Sequence, residues 1–218
     1  MGVESYCSFE DTVTRGVMRY PPDQKAKARA SLLKAGLTSM KAAGFNGIGV
    51  DGLAAAAGAT SGAFYSNFAN KEEMLKAIVD AAVGEPFLSA SESATTKAEL
   101  RSLLKKLIAD YISDHHVADP ANGCVMPALS ADVARASTRT RKSYERRISA
   151  MAERIADGLD GPRADRLRRA WSIISLMVGA VTIARAMSSS AAQSEVVASA
   201  RKTANHLVSA PVKRKPVA

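Results

Sequence analysis

Aromatic residues are scarce in this chain: five Phe, five Tyr and a single Trp make up 5% of its 218 residues. Alanine is abundant in their place, which suits close-packed helices, and no stretch reads as a strand. Cysteine is scarcer still. Cys7 and Cys124 lie in unlike settings without metal-ligand spacing, so neither a disulfide framework nor a zinc site is expected, and a reducing cytoplasm is the expected compartment. His115 and His116 are adjacent and point to different faces of a helix, with no Cys or carboxylate at ligand spacing. The chain has no H-E-x-x-H, no glycine-rich phosphate loop and no nucleophile elbow, so an all-helical enzyme finds no support, and no metal or cofactor is expected. No charged-then-apolar leader opens the sequence. The longest apolar run, Trp171–Ala184, is short for a membrane span and is bounded by Arg168, Arg169 and Arg185. It reads as a buried helix, and no membrane partner is expected.

What is present is length, charge and helical periodicity. A chain of 218 residues can hold a small domain on a larger one and bury a substantial core. The net charge of +9 fits a solvated surface or a polyanionic partner. Its distribution is uneven, because Arg19–Lys71 carries 7 Lys/Arg against 2 Asp/Glu while acidic residues flank that span.

Punctuation divides the chain. Residues 1–20 show no periodicity and are expected to be a disordered arm, with Met18 as a possible translation start. Pro21-Pro22 closes that arm. From Gln24 to about Ala43 Leu33, Leu37 and Met40 recur at helical spacing, with Gly44 as the stop. Asn70 with Glu73 opens a helix to about Val83, ended by Gly84 and Pro86. The Ser/Ala/Thr-rich residues 89–96 read as a linker. Thr96 with Glu99 opens a helix to about His115, and Asp119-Pro120 with Asn122-Gly123 marks a loop. Helices follow over about Cys124–Ala134, Thr138–Leu159, Arg163–Met187 and Gln193–Val208. The expected units are 21–84 and 85–209, with 210–218 a disordered basic tail. The fold class is all-α.

The segment Leu53–Leu75 carries the sharpest signal. Leu53, Ala54 and Ala57 give a first helix a small apolar face, and Gly58 supplies a tight turn. Thr60 can cap the next helix, on which Phe64 and Phe68 stand one turn apart on the buried side. Its other side is small and smooth, and a helix so built lies against a partner, most often the DNA major groove. There Thr60, Ser61, Gly62 and Ala63 point toward base edges, with Gly62 allowing close backbone approach. Lys25, Lys27 and Arg29 precede or open the first helix and are candidates for neighbouring phosphates.

This run resembles the DNA-binding domain of the tetracycline-repressor (TetR-type) family of bacterial transcriptional regulators. The likeness extends upstream through Arg29, Leu32, Leu33, Ala35 and Gly44 and downstream through Lys71, Leu75 and Ile78. It implies an N-terminal helix-turn-helix domain followed by a helical ligand-binding and dimerisation domain, in a regulator that is no enzyme. It further implies phosphate contacts from Tyr65, Asn67 and Lys71, which fix register rather than sequence. Ile48-Gly49-Val50-Asp51 stands where the family often has a Thr or Ser cap, so Gly49 would offer its backbone N–H instead. Asn67 stands where the family often has His.

The remainder of the chain carries two further expectations. Along Arg163–Met187, Ser172, Ser175, Gly179, Thr182 and Ala186 form a seam of small residues between bulky stripes. A helix apolar nearly all round must be covered on every side. The family dimerises through its last two helices as a four-helix bundle, so this seam is the expected homodimer interface; the plainer alternative is the central helix of a monomer. Tyr111, His115, Met126, Leu129, Tyr144, Met151, Trp171 and Ile174 are candidates to line an effector pocket, each also compatible with plain core. Cys124 could be a thiolate favoured by a helix start, although a small buried residue is the plainer reading. The expected function is a ligand-responsive DNA-binding regulator. It would be a repressor released from an inverted-repeat double-stranded DNA operator by a small apolar effector. The alternative is an architectural binder without an effector.

Overall fold

The computed structural model describes residues 22–210. The expected arm of residues 1–20, with Cys7 and Met18, and the tail from Pro211 onward lie outside the described residues. Among those described there are eleven helices and no strand. Helices α1 (Pro22–Ala43), α2 (Val50–Ala56), α3 (Ser61–Asn67) and α4 (Lys71–Ala82) form the N-terminal part. They are followed by α5 (Glu85–Ser91), α6 (Lys97–Tyr111), α7 (Asp114–Ala118), α8 (Val125–Arg135), α9 (Thr138–Asp157), α10 (Arg163–Ala186) and α11 (Ser190–Ser209).

Local chemistry sets most of these boundaries. Thr60 and Asn70 accept from the backbone N–H groups of Ala63 and Glu73 at the starts of α3 and α4. Thr96 and Glu99 close a full capping box on α6. Two boundaries differ from the sequence expectation. Residues 89–96 are not simply a linker: α5 reaches Ser91, anchored by the buried ring of Phe87. Arg154 of α9 stabilises the end of α5, donating to Ser91 Oγ at 3.0 Å and to the Ala94 carbonyl at 3.1 Å. The helix expected to run to His115 stops at Tyr111. Ser113 then caps a separate α7 through the His116 N–H, at 3.2 Å.

One continuous apolar cluster runs from Leu32 to Val208. By length and composition α10 could cross a membrane. Here it is a core helix, packed on α11 and α9, with Ala170, Ile173, Ile174, Met177, Val181 and Ala184 buried. Arg169, only 3% exposed, ties α10 to its surroundings by donating to Asp165 Oδ2 at 2.8 Å and to the Leu207 carbonyl at 2.9 Å.

Candidate nucleic-acid interface and internal cavity

Helices α2 and α3 are joined by a turn in which Gly58 adopts φ 65°, a left-handed conformation that favours glycine. The Ala59 N–H reaches back to the Ala54 carbonyl at 2.9 Å and tightens the corner. Phe64 and Phe68, 0% and 1% exposed, pin α3 from below with ring centroids 5.6 Å apart. The opposite face carries exposed Thr60, Gly62, Tyr65 and Ser66. Tyr65 is 57% exposed, the most open large hydrophobic side chain described. A Cβ on Gly62 would meet only Thr60 Oγ1 at 3.8 Å, so the local surface is open. Thr60 Oγ1 accepts from the Ala63 N–H, which leaves its O–H as a donor for a partner. The Ser61 hydroxyl donates to the Asp51 carboxylate across the turn, an orientation that the sequence reading did not foresee.

The cationic residues are placed differently from one another. Lys25 is exposed near the start of α1. The Arg29 guanidinium stacks over Phe68 at 4.1 Å and donates to the Asn67 carbonyl, so it secures the end of α3. Lys71 Nζ lies 4.3 Å from the centroid of the Phe45 ring and donates to the Ile48 carbonyl at 3.2 Å. That seat, made of Phe45 and Ile48, was missed in the sequence because both sit in an aperiodic connection. Asn67 turns its amide onto the Ala63 carbonyl at 2.8 Å, and its Oδ1 is buried without a partner. The exposed Gly49 stands at the N-cap of α2 with no side-chain cap.

A cavity of about 990 Å³ lies between the ends of α1 and α4 and helices α5 to α9. Tyr111, His115, Met126 and Met151 line it, with Leu37, Phe87, Leu103 and Leu107 among its apolar walls. Leu129, Tyr144, Trp171 and Ile174 do not line it. Leu129 and Ile174 are buried, Trp171 is 40% exposed on the outer side of α10, and Tyr144 Oη pairs with Ser130 Oγ at 2.8 Å. Cys124 also lines the cavity; burial pushes its thiol up, which opposes a standing thiolate.

The cavity wall is tied to the end of α1 by two hydrogen bonds that sequence spacing could not show. Lys41 Nζ donates to the Gly123 carbonyl at 2.9 Å, and the Phe45 N–H donates to Asp132 Oδ2 at 3.2 Å. Glu72 of α4 accepts from the Ser137 N–H and the Thr140 hydroxyl, both at 3.0 Å, which ties α4 to α9.

His116 organises the same wall. Its Nε2 accepts from the Cys124 N–H at 2.8 Å, so the ring is neutral and Nδ1 donates to the Tyr111 carbonyl at 2.7 Å. Burial, aided by Arg185, Lys41 and His115 and opposed by the Tyr111 carbonyl, holds its pKa below the ordinary 6.5. The stability that depends on neutral His116 is therefore complete above that value. It is lost as pH falls from there through the lower folded value. Thermal unfolding between pH 8 and 5 should show this loss, and His116→Gln should flatten it. An unchanged slope in the variant would remove His116 as its source.

The seam on α10 faces outward. Ser175, Thr182 and Ala186 are exposed and Ser172 and Gly179 half-buried, with Ile183 51% exposed beside them. Ser175, Leu176, Gly179 and Ile183 of α10 and Val196, Ser199 and Thr203 of α11 border an open groove of about 580 Å³.

Residues 32–78, which span this turn motif, match the profile of bacterial regulatory proteins of the tetR family. This segment is a TetR-type DNA-binding unit. The match marks residues 32–78 as the DNA-binding part of a transcriptional regulator. No curated protein matches the sequence. Solved TetR-family structures share its fold. The regulator from Cytophaga hutchinsonii is 20% identical, with a TM-score of 0.67 over 90% of this chain and 100% of its own. Reduced NemR from E. coli is also 20% identical, with a TM-score of 0.66 over 85% and 98%. The regulator from Agrobacterium tumefaciens is 13% identical, with a TM-score of 0.65 over 82% and 98%.

Proposed function

We propose that this chain is a cytoplasmic TetR-family repressor that binds an inverted-repeat operator as a homodimer and leaves it when a small, mainly apolar molecule fills the cavity. Residues 21–84 act as the reading unit and 85–209 as the sensing and dimerising unit. Thr60, Ser61, Gly62 and Ala63 meet base edges, whereas Lys25, Tyr65, Lys71 and the Gly49 N–H meet phosphates. Asn67 and Arg29 fix the end of α3. The outward seam of α10, with the adjoining face of α11, joins the two protomers.

The observation that carries the ligand-controlled reading is the cavity of about 990 Å³ against the ends of α1 and α4. An architectural binder has no use for a pocket of this size, open to solvent at one side and lined mainly by apolar side chains. A ligand that prefers one spacing of the two α3 helices changes operator affinity. A coupling of about 1–3 kcal/mol corresponds to roughly 5–150-fold.

Tyr65→Ala and Lys71→Ala should weaken binding to all DNA sequences alike, with Lys71→Ala lowering the salt slope by about one. Substitution of Thr60 or Ser61 should instead change which sequence is preferred. Electrophoretic titration at several salt concentrations measures both effects. Normal binding by Tyr65→Ala would remove α3 from the interface.

A further inference from the structure

The cavity's polar end holds an imbalance of charge. Three carboxylates line the cavity, and each already has a partner. Glu85 takes Arg147, Asp110 takes Lys106 at 2.6 Å, and Asp119 accepts from the backbone and side-chain nitrogens of Asn122 at 3.1 and 2.9 Å. The two cations at this end form no direct ion pair, and Asp119, close enough to favour the charged form of both, offsets only one of their two charges. Lys41 Nζ, on the cavity wall, donates to the Gly123 carbonyl. Arg185, packed behind Gly123, donates to the carbonyls of Val117 and His116 at 3.2 and 2.6 Å. Among the described residues neither forms an ion pair.

Tyr111 adds an independent sign. It is 8% exposed and lines the cavity, and its hydroxyl oxygen is buried with no nitrogen or oxygen partner, only the weakly accepting Cys124 thiol beside it. A thiol is a poor acceptor, so a ligand oxygen would satisfy this buried hydroxyl better. The Tyr111 ring packs edge-on against His116 at 4.5 Å, His116 holds the Cys124 N–H, and Lys41 holds the adjoining Gly123 carbonyl, so the two donors converge on one corner. The walls beyond that corner are apolar, with Leu37, Phe87, Leu103, Leu107, Met126 and Met151.

Resting on the ligand-controlled reading above, we propose that the cavity takes an apolar molecule bearing one carboxylate. Lys41 Nζ and Tyr111 Oη hold that carboxylate, and its binding draws Lys41 from the Gly123 carbonyl and loosens α1 from α8. One ammonium and one hydroxyl suit the single charge of a carboxylate; a phosphate would bring a second negative charge and a third acceptor oxygen that these two donors leave unmatched. Lys41 suits a relay because it sits four residues before Phe45, whose N–H is held by Asp132 and whose ring seats Lys71.

The test compares each of two acids with the alcohol of the same body: decanoate with 1-decanol, and 2-naphthoate with 2-naphthalenemethanol. Binding to the full-length protein is followed by calorimetry. At least one acid should bind ten-fold or more tightly than its alcohol. Lys41→Met should erase that difference by weakening the acid, Tyr111→Phe should reduce it, and the cavity-filling Leu107→Trp should abolish binding of both. Hydrogen exchange over residues 37–45 should rise with the acid and stay level with the alcohol. Equal binding of acid and alcohol, both blocked by Leu107→Trp, would overturn the carboxylate while the cavity keeps its role as a ligand site. Discrimination that survives Lys41→Met would overturn the assignment of Lys41. Binding of none of the four would also overturn the proposal. The ligand-controlled reading would then stand or fall on whether any compound that releases operator DNA is blocked by Leu107→Trp.

Discussion

Gly179→Leu should yield a folded monomer that no longer holds its operator. Inside the protomer nothing lies within 4 Å of a Cβ built on Gly179, so a leucine there meets open space and the protomer core is undisturbed. Across a twofold interface the same leucine faces its own copy, or the groove between α10 and α11 of the partner. Overpacking of this kind costs about 1–3 kcal/mol per site, and the symmetry places two such sites in one interface. Operator binding then suffers more than dimerisation itself, because losing the second, tethered half-site removes roughly 10²–10⁴-fold of avidity. Sedimentation should show the monomer and circular dichroism should show unchanged helix content. An intact dimer would take the seam out of the interface.

Phe64→Ala should produce the largest loss of stability in the reading unit, about 3–5 kcal/mol, the usual result of removing a buried aromatic ring. Phe64 is fully buried and packs against Phe68, on which Arg29 stacks, so its loss also loosens the grip of Arg29 on the end of α3. Phe64→Leu, which keeps most of the volume, should recover more than half of the loss. Urea unfolding measures both variants, and a change below about 1 kcal/mol for Phe64→Ala would mean that the ring does not anchor α3.

The parts of this fold that were legible in the sequence are those fixed by near neighbours. Thr60, Asn70 and Thr96 announce helix starts because a cap acts over three residues, and Gly58 marks a turn because its backbone conformation is local. Helix α5 was hidden because its Ser- and Ala-rich sequence has little periodicity. The helix is held by Phe87 and by Arg154, which is 63 residues away from Ser91. The cavity was only half legible for a related reason. Trp171 and Ile174 are on a helix that is apolar nearly all round, and periodicity cannot say which side of such a helix meets which neighbour. Tyr111, His115, Met126 and Met151 reach the cavity because of how α6 to α9 pack. The ties of Lys41 to Gly123 and Phe45 to Asp132 span 82 and 87 residues and leave no mark in local sequence.

The central claim is that two α3 helices, presented by a twofold dimer, read one operator. Hydroxyl-radical footprinting on DNA selected by this protein from random sequence tests it most directly. The account predicts two protected half-sites in inverted orientation, with centres about 34–36 Å apart or somewhat more along one face of the duplex. A single asymmetric footprint would contradict it.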